Sequence, residues 1–314
     1  MTRLTAPWAS VLGDHKIDEL PGTTQPLWRV TAEDGSSFLL KQLPEFPPGV
    51  GPIEEYRVLQ HLQANGISVA IPVVTDDGRI CASHGEFNYS LLPQLPADET
   101  GHPGARRSKE TCQSVGAAIA QLHRELARCP WPIHSFTHKM TLDFSEPNVP
   151  EQIRECITPE FQQTLEESLT DLPIQRIHGD CNTGNILLYR ARVSGFIDLD
   201  HLPIGPRVYD IAYYLVYRLQ DLLELHNAAG VEQIFEPEFA EYLSGYQSEA
   251  PMPLTSQELS AIAPAMFTAA AGLAAWHSLE HVYDAKKVRQ GTNAAIWIRC
   301  HLPQLEFTSD RWGS

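Results

Sequence analysis

The stretch His178-Gly179-Asp180-Cys181-Asn182-Thr183-Gly184-Asn185-Ile186-Leu187-Leu188, with Phe196-Ile197-Asp198-Leu199-Asp200 and Gly205-Pro206-Arg207-Val208-Tyr209-Asp210 after it, decides how this chain is read. Asp180 and Asn185 lie on a loop opened by a glycine, and the apolar run Ile186 to Leu188 reads as a short buried strand that anchors the loop. Tyr189 to Val193 reads as a turn and Ser194 to Ile197 as a returning strand. The resulting hairpin is expected to deliver Asp198 beside Asn185, so that two carboxylates and an amide converge.

Hard oxygen groups of this type suit Mg2+, which keeps several waters and is completed by substrate phosphates. The implied chemistry is phosphoryl transfer. Kinase-fold enzymes use the same order: a loop Asp that accepts a hydroxyl proton, then an Asn and a later post-strand Asp that bind metal. With His178-Gly179-Asp180 in place of His-Arg-Asp and Asp198-Leu199-Asp200 in place of Asp-Phe-Gly, residues 176 to 215 resemble the aminoglycoside phosphotransferase-like superfamily, kinase-fold enzymes that phosphorylate small-molecule hydroxyls. The resemblance implies an α+β, bilobal protein-kinase-like fold, with an antiparallel sheet and one main helix in the N-lobe and a mainly helical C-lobe. It implies ATP and Mg2+ as cofactors, Asp180 as catalytic base, Asn185 and Asp198 as metal ligands, and structural roles for His178 and Asp210, the latter holding the catalytic loop from below.

The chain has 314 residues, 43% hydrophobic and 20% charged, enough for two lobes with cores of their own. A net charge of -16 argues against nucleic acid or an anionic membrane as the main partner, since both require basic patches, and favours cationic or neutral substrates. The expected partner is a small-molecule hydroxyl acceptor, and the expected state is monomer or homodimer. Cys81, Cys112, Cys129, Cys156, Cys181 and Cys300 are scattered without a Cys-x-x-Cys pair, which fits a reducing cytoplasm. The N-terminus lacks an apolar leader, and the most apolar stretch, Ala261 to Trp276, is interrupted by Pro264 and Thr268, so no signal or membrane span is expected.

Residues 1–92 are expected to form the nucleotide-binding lobe, 93–96 the hinge, and 97–314 the catalytic and substrate-binding lobe. Asp18 to Leu20, Leu27 to Thr31 and Ser37 to Gln42 read as a β-meander, with a turn at Pro21 to Pro26 where a phosphate-covering loop would lie. Val69 to Val74 and Phe87 to Leu92 read as two further strands. Lys41 closes an apolar strand, and Pro52 to Asn65 has a helical stripe of Val58, Leu59 and Leu62 that also carries Glu55. By the resemblance, Lys41 contacts the ATP phosphates, Glu55 holds Lys41, and the backbone from Leu92 to Leu95 meets the adenine.

Ser108 is placed to cap a helix running to about Arg128, and residues 151 to 170 suggest one or two short helices. Asp210 is expected to open a helix, with further helices over Phe235 to Gln247, from a capping box at Thr255 to Glu258 past Trp276, and from about Thr292 to His301. His123 is read as structural. Asp200, His201, Arg207, Tyr213, Trp276 and Glu280 are candidates for the acceptor pocket. The layout around Tyr242 to Gln247 resembles the homoserine kinase type II branch, whereas His178-Gly179-Asp180-Cys181 with Gly205-Pro206 also resembles bacterial stress-response Ser/Thr kinases. A protein kinase is therefore the alternative, although the short run from Asp198 to Asp210 leaves little room for an activation loop. His277-Ser278-Leu279-Glu280-His281 fits an inverted zinc-peptidase pattern, with Glu306 and Asp310 as downstream carboxylates. His134 and His138 form a second histidine pair.

Overall fold

The computed structural model describes residues 2–21, 26–43, 52–98, 104–131, 140, 142–200, 202–302 and 305. It opens with two short turns, α1 (Thr2–Thr5) and α2 (Ala9–Leu12), that the sequence reading did not anticipate. Four-residue helices have no independent stability. These two are held by burial of Trp8 and Leu12 in the core of the sheet and by Trp8 Nε1 donating to the Val73 carbonyl at 2.7 Å. Burying a leucine contributes about 1.5–3 kcal/mol relative to leaving it in water.

The meander follows as β1 (Lys16–Glu19), β2 (Leu27–Thr31) and β3 (Ser37–Gln42), then α3 (Pro52–Ala64), β4 (Ala82–His84) and β5 (Phe87–Pro93). The strands form one antiparallel sheet in the order β1-β2-β3-β5-β4. Val69 to Val74 is not a strand of this sheet. Pro72 has no N–H to give a ladder, and in place of a ladder the segment has a parallel bridge from Val69 to Phe196, a bond from Val73 N to the Leu91 carbonyl and the Trp8 bond to the Val73 carbonyl. Ala82–His84 takes the edge position instead.

The stripe on α3 is buried as expected, but in an unexpected place. Val58, Leu59 and Leu62 join the larger core with Ile119 and Leu122, while the sheet keeps a small core of its own around Trp28, Val30 and Leu91. The one main helix of the first lobe is thus packed with the helical lobe.

That lobe begins with α4 (Lys109–Arg128), capped by Ser108, whose side chain accepts from Thr111 N. Next come α5 (Glu151–Glu155), α6 (Pro159–Leu169), β6 (Ile174–Arg176), the antiparallel hairpin of β7 (Ile186–Tyr189) and β8 (Arg192–Phe196), and β9 (Ile204–Pro206), which pairs with β6. Four helices complete the chain: α7 (Arg207–His226), α8 (Glu232–Glu249), α9 (Ser256–His277) and α10 (Ala285–His301). The capping box at Thr255 and Glu258 is formed. α10 starts seven residues before the expected Thr292, because Asp284 accepts from Lys286 N and Lys287 N and caps it there.

Neither Pro264 nor Thr268 interrupts α9. Thr268 turns its hydroxyl back to the carbonyls of Pro264 and Ala265 at 3.3 and 3.0 Å, so the helix buries no orphaned hydroxyl. α9 is long and apolar enough by composition to cross a membrane, and most of it is buried inside the fold.

Gly116 on α4 lies where α8 crosses closely. A methyl group there would fall against the Tyr242 carbonyl oxygen and within 2.8 Å of Tyr246 N, both of them backbone atoms that cannot swing aside. Gly116→Ala should therefore destabilise the protein by about 1–3 kcal/mol, despite alanine's better helix propensity. Thermal unfolding checks this, and a melting temperature at or above that of the wild type would show that the two helices can move apart without cost.

Candidate active site

The loop before β7 is built on Asp210. This carboxylate lies fully buried in the first turn of α7 and accepts from His178 N at 2.8 Å, Gly179 N at 2.9 Å and His123 Nε2 at 3.0 Å. Burial alone would raise its pKa. The His123 bond, the nearby His123 and His178 rings and the Gly179 N–H outweigh that and hold it below the usual carboxylate range. His123 continues the chain through Nδ1 to the Tyr246 hydroxyl at 2.8 Å. Gly179 has φ +81°, and a Cβ there would meet Pro203 at 2.6 Å, so only glycine lets the chain turn over Asp210.

His178 joins the two halves of the hairpin. Its Nε2 lies 3.0 Å from the Ile197 carbonyl, which can only accept, so Nε2 carries the proton and Nδ1 accepts from Asp180 N at 3.3 Å. Asn185 makes the second link. Its Nδ2 donates to Asp180 Oδ2 and to the Asp180 carbonyl, both at 2.8 Å, while its own carbonyl accepts from Ile197 N at 3.0 Å. Asp180 and Asn185 are thereby joined, and Asp198 follows directly on the residue bonded to Asn185.

The sequence reading passed over Asn182. Its Nδ2 donates to Asp180 Oδ1 at 3.0 Å, and its Oδ1 accepts from Gly184 N at 2.8 Å and Asn185 N at 3.1 Å. Both oxygens of Asp180 are thus held by side-chain amides. The Asn-Thr-Gly run was the available signal, since an Asn two residues before a Gly commonly closes such a turn.

Asp198 has φ +57°, a left-handed conformation rare outside glycine and concentrated at functional sites. Lys41 comes from the sheet to meet it. The ammonium donates to Asp198 Oδ1 at 2.7 Å and to Asp200 Oδ2 at 2.6 Å. Burial would lower the Lys41 pKa, but the two carboxylates outweigh it and hold the ammonium above its ordinary range. Among the described residues Lys41 makes no ion pair with Glu55. Glu55 stands against Asp200 instead; its pKa is pushed up to about 8, by burial first and then by the charge of Asp200, with Lys41 pulling the other way. At neutral pH Glu55 is therefore mostly protonated in this arrangement. A neutral carboxyl is not the anion that would hold Lys41.

The donors present fit a hard divalent ion. A cation of the chain already sits between Asp198 and Asp200, and with Nδ2 of Asn185 committed to Asp180, its oxygen is the atom it can offer. Among the described residues no three His, Cys, Asp or Glu side chains form a metal cage by themselves. This suits Mg2+, for which phosphates and water supply the remaining ligands.

The other candidates are placed less centrally. Leu92 pairs with Leu39 in the sheet, and Leu95 lies in the segment that continues to the hairpin, where Asp98 N donates to the Leu188 carbonyl at 2.9 Å. Arg207 is committed to structure: its guanidinium grips Glu258 at 2.7 and 2.9 Å and the Met252 and Pro253 carbonyls at 2.9 and 3.2 Å. Trp276 and Glu280 are exposed near the end of α9, where Trp276 makes an edge contact with His281. Tyr213 lies in a row of tyrosines on α7. α9 stops at His277 and a separate turn carries Glu280 and His281, so the two histidines do not share the one helical face that the zinc pattern needs. Residues His134, His138, His201, Glu306, Asp310 and those from Gly22 to Gln25 in the first turn lie outside the described residues.

The profile of the phosphotransferase enzyme family matches residues 17–251, a span that contains Lys41, Glu55 and the whole hairpin. The chain belongs to that family. A homoserine kinase of Neisseria meningitidis serogroup B is 28% identical over 159 residues, 49% of this chain and 50% of the relative. Stress response kinase A of Escherichia coli K12 is 24% identical over 215 residues, 63% of this chain and 62% of the relative. The chain thus spans about half to three-fifths of the length of these family relatives. Among solved family-like folds, an amicoumacin kinase in complex with AMP-PNP and Ca2+ covers 95% of this chain and 92% of its own at a TM-score of 0.71 and 15% identity. A microcompartment-associated aminopropanol kinase covers 97% of both chains at 0.68 and 15%. At such identities the likeness is one of fold, a kinase-like one.

Glu55 gives a test of the charge arrangement. Its folded value of about 8 lies above the roughly 4.3 of an unfolded glutamate. The folded state therefore keeps a proton that the unfolded state releases, and this group's contribution to stability is full below the unfolded value and lost as pH rises through 8. In nucleotide-free protein the melting temperature of the wild type should fall more between pH 6 and pH 9 than that of Glu55→Gln. Equal falls in the two proteins would place Glu55 away from Asp200.

Proposed function

We propose that the chain is an ATP-dependent, Mg2+-requiring kinase that transfers the γ-phosphoryl group of ATP to a hydroxyl of a small molecule. The observation that carries this reading is a chain of bonds: Asp180 is held on both oxygens by Asn182 and Asn185, the Asn185 carbonyl accepts from Ile197 N, and the next residue, Asp198, accepts from Lys41 of the other lobe. Asp180 orients the acceptor hydroxyl and takes its proton as the new O–P bond forms and the bond from phosphorus to ADP breaks. With nucleotide present, Lys41 would leave the two carboxylates for the phosphates, and Asn185 and Asp198 would hold Mg2+. The metal, when bound, supplies neutralisation of charge on the transferring group. The backbone between Leu92 and Leu95 would receive the adenine, with residues 93–96 as the hinge.

Family membership and relatives named as homoserine kinases favour a small acceptor. A relative in Salmonella typhimurium LT2 named as a serine/threonine protein kinase, 25% identical over 218 residues, favours a Ser/Thr protein kinase as second reading. Against it, Asp198 is followed closely by β9, which is paired with β6, and then by α7, so among the described residues no extended segment is left there to dock a peptide.

Most of the rate in such transfer comes from positioning and charge stabilisation. Asp180→Asn should cut turnover by about 100-fold or more and change Mg-ATP affinity little, whereas Asp198→Ala should weaken Mg-ATP binding itself. Steady-state kinetics over an acceptor panel, scored by ADP release above the acceptor-free rate, together with nucleotide titration, separate the two. Near-normal turnover in Asp180→Asn would end the assignment of the base.

Asn182 acts through Asp180. Asn182→Ala should lower kcat by roughly tenfold or more at nearly constant KM for ATP. Asn182→Asp keeps the turn acceptor but sets a like charge beside Asp180, so it should also move the acid limb of the kcat–pH profile to higher pH. An unshifted profile would restrict Asn182 to shaping the loop.

A further inference from the structure

Asp210 holds the loop, and the support of Asp210 itself reaches further into the helices. Its Oδ2 is shared by two donors, His178 N at 2.8 Å and His123 Nε2 at 3.0 Å, while Oδ1 takes Gly179 N at 2.9 Å. An ionised carboxylate can only accept, so the His123 ring carries its proton on Nε2. Nδ1 then faces the Tyr246 hydroxyl at 2.8 Å, and both side chains are buried, His123 to 2% exposure and Tyr246 to none.

His123 and Tyr246 lie on different helices, and they meet because α4 and α8 approach through glycines. A Cβ on Gly245, next to Tyr246, would fall against the Gln113 backbone, as one on Gly116 would against that of Tyr242. The two rings stand edge to face with centroids 5.8 Å apart. The Arg207 guanidinium, gripped by Glu258 at 2.7 and 2.9 Å, lies close enough for its charge to act on the same hydroxyl. A cation there draws the phenol oxygen and turns its hydrogen toward Nδ1. A second proton on the imidazole would set two cations beside one buried hydroxyl and leave the phenol hydrogen without an acceptor among the described residues, a costly arrangement. The order that uses every hydrogen runs one way: Tyr246 donates to His123 Nδ1, His123 Nε2 donates to Asp210, and Asp210 receives the loop.

We infer that Tyr246 is a positioning residue for the base: its hydroxyl holds the His123 ring at the angle that gives Nε2 to Asp210, and through the shared Oδ2 it fixes His178 N and hence Asp180, two residues on. This rests on the reading of Asp180 as the base. Without the hydroxyl the buried Nδ1 has no partner, and the ring turns or takes up a second proton. Either change alters the pull on the oxygen that His178 N shares. Tyr246 meets no reacting atom, and its effect on turnover passes by way of His123 and Asp210.

Tyr246→Phe removes the hydroxyl and keeps the ring in the core. With the acceptor that turns over fastest in the panel, it should lower kcat by roughly tenfold, since small displacements of a reacting group are costly in rate, at nearly constant KM for ATP. His123→Gln keeps an amide donor for Asp210 and has no second ring nitrogen to be held. Tyr246→Phe added to it should therefore cost less than about threefold more in kcat, the non-additivity expected of residues in one network. Nitrogen-15 NMR of the histidines of the full chain at neutral pH should show the His123 ring with a protonated Nε2 and a bare, hydrogen-bonded Nδ1, and Tyr246→Phe should lose that bond. Mg-ADP affinity checks the folding of each variant, and the NMR result decides alone if His123→Gln fails that check. Normal kcat in Tyr246→Phe, the same loss in both backgrounds, or a protonated Nδ1 in the wild type overturns the inference. Near-normal turnover in Asp180→Asn would remove the base and leave the His123 bonds as read, whereas normal kcat in Tyr246→Phe would remove the positioning role and leave the base standing.

Discussion

The carboxylate of Asp210 is the point on which the rest of the site depends. A buried carboxylate costs several kcal/mol in lost hydration unless good partners replace the water. Here the partners are two backbone N–H groups of the catalytic loop and one imidazole. The donors are in turn buried groups that would be costly to leave unsatisfied, at about 1–3 kcal/mol each. Each side of the contact therefore requires the other, and the loop has one low-energy path over the first turn of α7. His123 and Tyr246 extend the same network into α4 and α8, so the helices that form the core also set the height of the loop.

With the loop fixed, the electrostatics of the cleft follow from a shortage of positive charge. Three carboxyl groups, Asp198, Asp200 and Glu55, face one ammonium. Lys41 takes the two aspartates, and the third carboxyl, being both buried and beside Asp200, keeps its proton. The arrangement is self-consistent without nucleotide. Bringing in a metal and phosphates would add positive charge at the aspartates and negative charge near Lys41, which would release Lys41 and lower the proton affinity of Glu55. The pairing of Lys41 with Glu55 expected from the sequence is not made in the charge state observed, in which Asp198 and Asp200 take the ammonium.

What the sequence made legible is what local rules govern. The hairpin from Ile186 to Phe196, the Ser108 cap and the Thr255 capping box are all set within a few residues, by alternation, turn chemistry and side chain to backbone bonds. What it hid depends on distant partners. Nothing local marks Thr2 to Leu12 as ordered, because the reason is the sheet core that Trp8 and Leu12 enter. Val69 to Val74 has strand composition but carries Pro72, and the missing donor outweighed the β-branched residues around it. Arg207 looked like a pocket residue because a charged side chain near a site motif is usually exposed. Its partner, Glu258, lies at the start of a helix far along the chain. The tyrosines of α7 were legible as aromatic, but whether an i, i+4 row faces core or cleft depends on which neighbouring face the leucines take.

α7 therefore does two jobs with one rigid body. Its first turn presents Asp210 upward to the loop, and the adjoining face presents Tyr209, Tyr213 and Tyr217. Since Asp180 hangs from the loop that Asp210 fixes, the separation between that loop and the tyrosine row is set by helix geometry, about 1.5 Å of rise per residue, and not by a flexible segment. A substitution that tilts α7 would move the loop and the row together and preserve their spacing, whereas one that changes a tyrosine alters the row by itself.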